Sequence, residues 1–314
     1  MRTSGIHHIT SITRDAQKTV DFYAGILGLR LVKRTVNFDD PGTYHLYFGD
    51  HVGSPGTAVT FFPYPTSRKG TVGGGQVAYT VYAVPEGSLG FWQDRLKSFD
   101  VPFEVQERFG EKVLRFRDWD GLQNEIVERA EGPQSAWAFG GIPREHAIRG
   151  FGGALLYSTA PERTMETLEH VMGLDRKGEE NGLVRYEAHG NIGNKIDVSV
   201  ESHARGLGGH GTVHHIAWRA KDQDEQLAWR DHVAAAGFDP TPVRDRNYFT
   251  SIYFREHGGI LFEIATDGPG FTRDEAVDSL GESLMLPSWY EPQREQIERI
   301  LPEIHVRDLE GVGQ

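Results

Sequence analysis

A strand, a helix closed by glycine and then further strands recur along the 314-residue chain, and this repeat constrains the fold more than anything in the composition. In its clearest copy, Val213 to Trp218 alternates as a strand. Asp224 to Ala236 reads as a helix carrying Leu227, Trp229 and Val233, with Gly237 placed to stop it. Tyr248 to Phe254 and Ile260 to Ala265 then read as strands joined by the turn His257-Gly258-Gly259. Another copy opens the chain. It starts with Gly5-Ile6-His7-His8-Ile9-Thr10, has a helix from about Asp15 to Leu27 ended by Gly28, and continues with strands at Tyr44 to Phe48 and Thr57 to Phe62. Two more copies lie between, with helices at Ser88 to Phe99 and Pro161 to Met172. A single strongly twisted unit cannot close alone, so the units are expected to pair around concave faces in an α+β fold of two domains. Residues 1–135 hold the first two units, 136–150 form a Gly/Pro-containing linker, and 151–270 hold the other two. Residues 271–314 form a tail with a charged helix at about Glu291 to Ile300.

The net charge of -12, with no Lys/Arg cluster, argues against a nucleic-acid partner. No apolar run is long enough to span a membrane, and the first residues pass straight into a strand, leaving no room for a signal peptide. Cysteine is absent, which removes disulfides, thiolate metal sites and cysteine nucleophiles together. A cytoplasmic protein handling a small molecule is the expectation, with a homo-oligomer left open.

The chemistry is concentrated where the first and last copies agree. Aligned by the repeat, His7-His8 falls on His214-His215, Gly28 on Gly237, and Thr60 on or near Glu263. In the last strand Ile260, Phe262 and Ile264 form one face, so Glu263 points the other way with Leu261 and Ala265. A glutamate in such apolar surroundings is costly unless something pairs with it, and a metal ion is one such partner. Period-2 alternation sends the two members of each doublet to opposite faces, so one of each can enter a shared cavity. His8 and His215 are favoured, because Val213, His215 and Ala217 share a face with room for an ion. Two imidazoles and one carboxylate suit non-haem Fe(II), leaving positions open for substrate and oxygen. Glu125 holds the Glu263 place in the second copy without histidine partners, and reads as structural. Register puts Tyr253 across from Glu263, and Arg246 at the entrance to that strand, where a cation could hold an anionic substrate. The other histidines, His45 among them, match no ligand pattern and read as ordinary surface or loop residues.

The two His-His-Ile strands, the Arg246-to-Glu256 run and the Gly-Gly-Ile-Leu-Phe-Glu263-Ile-Ala-Thr-Asp ending resemble the vicinal oxygen chelate superfamily. Within it the chain is similar to ring-cleaving dioxygenases of the (chloro)hydroquinone 1,2-dioxygenase group, over nearly its whole length. The resemblance implies four βαβββ modules and an Fe(II) enzyme, with Mn(II) as the alternative metal, that opens a small para-diol ring with O2. It implies metal ligands at His8, His215 and Glu263, and assisting residues at His7, Thr10, His214, Arg246 and Tyr253. Phe249 or Trp218 could stack the ring. Three other readings stay open. A catechol extradiol dioxygenase would draw its ligands from the C-terminal domain alone. A glyoxalase-type lyase or isomerase would want a carboxylate where Thr60 stands. A non-enzymatic binding module would typically have two units.

Overall fold

The computed structural model describes residues 1–309, so the end of the expected tail, 310–314, lies outside the described residues. Each unit is βαβββ. The first consists of β1 (Ile6–Thr13), α1 (Ala16–Val20, continuing as a π-helix over Asp21–Ile26), β2 (Arg30–Asn37), β3 (Asp40–Gly49) and β4 (Ala58–Pro63). The second has β5 (Gln76–Val84), α2 (Leu89–Ser98), β6 (Phe103–Arg108), β7 (Glu111–Arg117) and β8 (Gln123–Glu128). The third has β9 (Gly150–Tyr157), α3 (Pro161–Glu166, then a π-helix over Thr167–Val171), β10 (Asp175–Glu180), β11 (Leu183–Glu187) and β12 (Lys195–Ser199). The fourth has β13 (Thr212–Ala220), α4 (Gln223–Ala235), β14 (Arg244–Asp245), β15 (Thr250–Arg255) and β16 (Leu261–Thr266).

Gly28, Gly173 and Gly237 close the helices of units one, three and four at φ of 69°, 71° and 90°, a left-handed conformation that glycine adopts without a Cβ penalty. Trp229 and Val233 of α4 are buried, whereas Leu227 points to solvent. The strands that follow the helices, β2, β6, β10 and β14, are the four edge strands. β10 reads Asp-Arg-Lys-Gly-Glu-Glu, and such charge protects an open ladder from further pairing.

Two eight-stranded sheets result, and their make-up does not follow chain order. One runs β14-β15-β16-β13-β1-β4-β3-β2 and joins unit four to unit one; the other runs β10-β11-β12-β9-β5-β8-β7-β6 and joins unit three to unit two. The division at 1–135 and 151–270 is therefore one of sequence, while in space the outer units pair together and the inner units pair together. The β1–β13 seam puts strands from both ends of the chain side by side in antiparallel register.

The tail packs on unit one. Lys33, fully buried, is paired with Asp274 at 2.6 Å and with Glu275. The final helix is a 3-10 turn over Glu291–Gln293 followed by α5 (Arg294–Ile300), and Ile297 of α5 is buried. Tyr290 donates a hydrogen bond to the Phe38 carbonyl at 2.8 Å, and the Trp289 ring meets Phe38 at 5.6 Å. No helix among the described residues is long and apolar enough to cross a membrane.

Candidate active site

The β1–β13 ladder is broken twice, and both breaks fall on a doublet. Ile6 pairs with Trp218 and His8 with Ala217, skipping His7; Thr10 pairs with His215 and Ser11 with Val213, skipping His214. Each first histidine is thus the extra residue of a β-bulge, a device that re-aims side chains. Simple alternation, which would separate the two members of a doublet, fails here. The Nδ1 atoms of His7 and His8 lie 2.9 Å apart, and those of His214 and His215 lie 2.7 Å apart.

With Nδ1 of His8 and His215 engaged by their neighbours, both Nε2 atoms are left for the centre. They face each other at 3.3 Å, and Glu263 Oε2 lies 3.3 Å from His8 Nε2 and 2.8 Å from His215 Nε2. Strands β1, β13 and β16 are adjacent, so three neighbouring strands each supply one of the three groups. All three residues are buried. Ser251 donates to the other carboxylate oxygen, Oε1, at 2.5 Å, while Oε2 receives no hydrogen bond. If each Nδ1–H donates to its doublet neighbour, two imidazole lone pairs and a bare carboxylate oxygen converge, an arrangement that repels itself without a cation. The donor set of two nitrogens and one oxygen fits a divalent transition metal, with the doublet bonds and Ser251 orienting the ligands from behind. Burial raises the Glu263 carboxyl, but His8 and His215 outweigh it and hold the group well below the usual carboxylate range. Burial also holds His215 below the ordinary histidine value, against the pull of Glu263, so the imidazole is kept in its metal-binding neutral form.

The three groups form the floor of a cavity of about 440 Å³. On the unit-four side, Tyr253 lies across from Glu263 in the ladder, as register predicts, and its hydroxyl accepts from Arg246 Nε at 3.1 Å. Arg246 also reaches Asp39 of unit one at 3.0 Å. Burial first, then Glu263, pushes the Tyr253 phenol up, so it stays protonated and able to donate. His214 lines the cavity as well, with part of its surface open, and desolvation by the protein around it pushes it down to about 3. Thr10 is fully buried and bonded to Thr60 at 2.7 Å, one step back from the cavity, and His7 is buried behind His8 beside the Phe249 ring. Phe249 lines the cavity 5.0 Å from the His8 ring, whereas Trp218 packs on Phe262 in the core. Phe38, held by the tail, is part of the wall, but among the described residues none of the tail lines the cavity.

His45 corrects the sequence reading. It is neither a loop nor a surface residue: it lines the cavity from β3, bonded to Thr60 Oγ1 at 2.8 Å and to the Tyr47 hydroxyl at 2.8 Å. The available signal was its place two residues before Tyr47, on the strand next to Thr60.

Residues 5–126 and 150–264 match the family described as the Glyoxalase/Bleomycin resistance protein/Dioxygenase superfamily, and the chain belongs to it. It is 56% identical over 309 residues to a Bacillus subtilis (strain 168) protein named "Putative ring-cleaving dioxygenase MhqO", covering 98% of this chain and 99% of that one. It is 36% identical over 310 residues to the chlorohydroquinone/hydroquinone 1,2-dioxygenase of Sphingobium indicum, covering 96% of each. The crystal structure of a "putative dioxygenase" from B. subtilis superimposes with a TM-score of 0.97 at 56% identity, over 98% of this chain and 99% of that one.

Proposed function

We propose that this protein is a cytoplasmic, Fe(II)-dependent ring-cleaving dioxygenase that opens para-hydroquinone-type diols with O2. The observation that carries the reading is the convergence of His8 Nε2, His215 Nε2 and Glu263 Oε2 on the floor of a cavity large enough for one aromatic ring. The relatives named for ring cleavage and for hydroquinone support it. Thr60 takes the place that would hold a further carboxylate, which leaves three protein ligands and open positions, as oxygen chemistry requires. An Fe(II) ion held by His8, His215 and Glu263 supplies electron transfer between a diol oxygen donor and O2.

The chain's own residues do the rest. Phe249 and Phe62 offer faces for the ring and exclude water from it. His214, neutral and accepting from His215 at Nδ1, keeps its hydrogen on Nε2 and can donate it to an oxygen in the cavity. Tyr253 donates from a phenol that burial keeps protonated, and Arg246 brings a fixed positive charge to the same wall, where negative charge on oxygen would develop. Asp39 holds that guanidinium in place from across the unit-one/unit-four boundary.

The test is O2 uptake by anaerobically Fe(II)-loaded protein, offered hydroquinone, methylhydroquinone and, separately, catechol. Uptake with the para-diols and little with catechol is the expected result. No uptake with any diol despite bound metal would transfer the reading to a non-redox lyase or isomerase.

A further inference from the structure

The unit-one wall of the cavity repeats the unit-four wall with different chemistry. The ladder pairs Tyr47 with Thr60 just as it pairs Tyr253 with Glu263. Two residues earlier on each strand stand His45 and Ser251, and each bonds the residue on the neighbouring strand: Ser251 to Glu263, His45 to Thr60. The unit-one set ends in a chain of neutral groups, Tyr47–His45–Thr60–Thr10, with steps of 2.8, 2.8 and 2.7 Å. Tyr47, Thr60 and Thr10 are each no more than 1% exposed, so the chain is screened from bulk water except where it borders the cavity.

Both ring nitrogens of His45 are committed within this chain. Tyr47 has His45 as its one hydrogen-bond partner among the described residues, and a phenol oxygen can serve a second. The His45 tautomer decides which way it does so. With hydrogen on Nε2, Tyr47 donates to Nδ1 and presents a lone pair to the cavity. With hydrogen on Nδ1, Tyr47 accepts and presents its own hydrogen.

We propose that Tyr47 is the contact for the second hydroxyl of a para-diol, and that His45 is the residue that positions it. This rests on the reading of the site given above. A catechol carries both hydroxyls on one edge of the ring and is satisfied by the floor of the cavity. A para-diol carries them on opposite edges and needs a polar group at a second, separate place; Tyr47 lines the cavity as well, and Phe62, Phe249 and Ile12 are apolar parts of the same lining. A partner able either to donate or to accept suits a hydroxyl whose own proton demand changes as the ring is oxidised.

The experiment measures anaerobic binding to metal-loaded protein of hydroquinone and of 4-methylphenol, which has the same outline without the second hydroxyl. Tyr47→Phe is expected to weaken hydroquinone roughly tenfold, the effect of one lost buried hydrogen bond, and to leave 4-methylphenol and metal content unchanged. His45→Ala should reproduce that selective loss, and His45→Gln, which can still bond Tyr47, should recover part of it. Equal weakening of both ligands, or no change in either, would overturn the assignment of Tyr47 while leaving the diol reading intact. Metal-loaded wild-type protein that binds neither phenol would bring down the diol reading itself, and this inference with it.

Discussion

The outer and inner sheets share one ladder, down to the bulges. Skipped residues fall at His7 and His214 in the outer sheet and at Ala78 and Gly152 in the inner one. Parallel pairing puts Glu263 opposite Ala217, Glu125 opposite Val81 and Asp197 opposite Leu155, three buried carboxylates at one topological position. By the same register Tyr79 and Gly153 occupy the places of His8 and His215. The inner sheet neutralises its two carboxylates with guanidinium. Arg108 makes a two-pronged contact with Glu125 and reaches Asp197 at 2.8 Å, while Arg115 bonds Glu125 and Arg185 bonds Asp197. Arg115 and Arg185 stand where Tyr253 stands in the outer sheet. A buried carboxylate must find positive charge; one sheet supplies it permanently from its own side chains, the other leaves it to be bound. The inner sheet has also lost the room for a ligand, since a Cβ on Gly153 would lie 1.8 Å from the Lys195 carbonyl oxygen.

The contrast can be broken most directly at the outer carboxylate. Glu263→Ala should weaken metal binding by more than roughly a hundredfold and abolish oxygen uptake, as read by metal titration and uptake together. A variant that stays loaded and active would show that the two carboxylates do not differ in kind. The matching change in the inner sheet, Glu125→Ala, should leave metal affinity untouched and cost about 3 kcal/mol in urea unfolding, because buried Arg108 is left with Asp197 alone and Arg115 loses its carboxylate. If Glu125→Ala instead lowers metal affinity, the inner network reaches the outer site.

The smallest effect sharpens the boundary between the sheets. Asp118, from the turn before β8, accepts from Tyr23 of unit one, and burial pushes its carboxyl up to about 7 from the usual 3.8. Folding therefore favours the protonated form. That contribution is fully present below about pH 4 and is lost as pH rises through 7. Asp118→Asn, which keeps the acceptor for the Leu122 amide, should match wild type at pH 4 and exceed it by roughly 2 kcal/mol at pH 8, measured by urea unfolding at both values. Equal stability at pH 8 would show that the carboxylate is tolerated there.

The repeat and the three converging residues were legible because they rest on local signals: glycine stops, a doublet placed twice, and one glutamate in an apolar strand. Tyr253 was legible because register within a hairpin is local too. The partnership of unit one with unit four was not, since nothing in a strand such as Ile6–Thr13 distinguishes Thr212–Ala220 from Gly150–Tyr157 as its neighbour. The bulges were equally hidden, and with them the contact inside each doublet. Edge strands such as β10 give no periodic signal because charge, rather than burial, is what their position demands. His45 escaped because it works through hydroxyl partners on other strands, a pattern that no ligand spacing encodes.

The seam between β1 and β13 gives the protein an order of assembly during its synthesis. The inner sheet is made of consecutive stretches and can form while the chain is still being extended, whereas β1 must wait for β13 before its open edge is covered. Contacts of such long sequence separation are slow to form. His8 is separated by 207 residues from His215, and its other partner Glu263 lies further along still. A ribosome-bound fragment that ends before β16 would carry a finished inner half and no complete metal site, so the three ligands can come together only after unit four has been made.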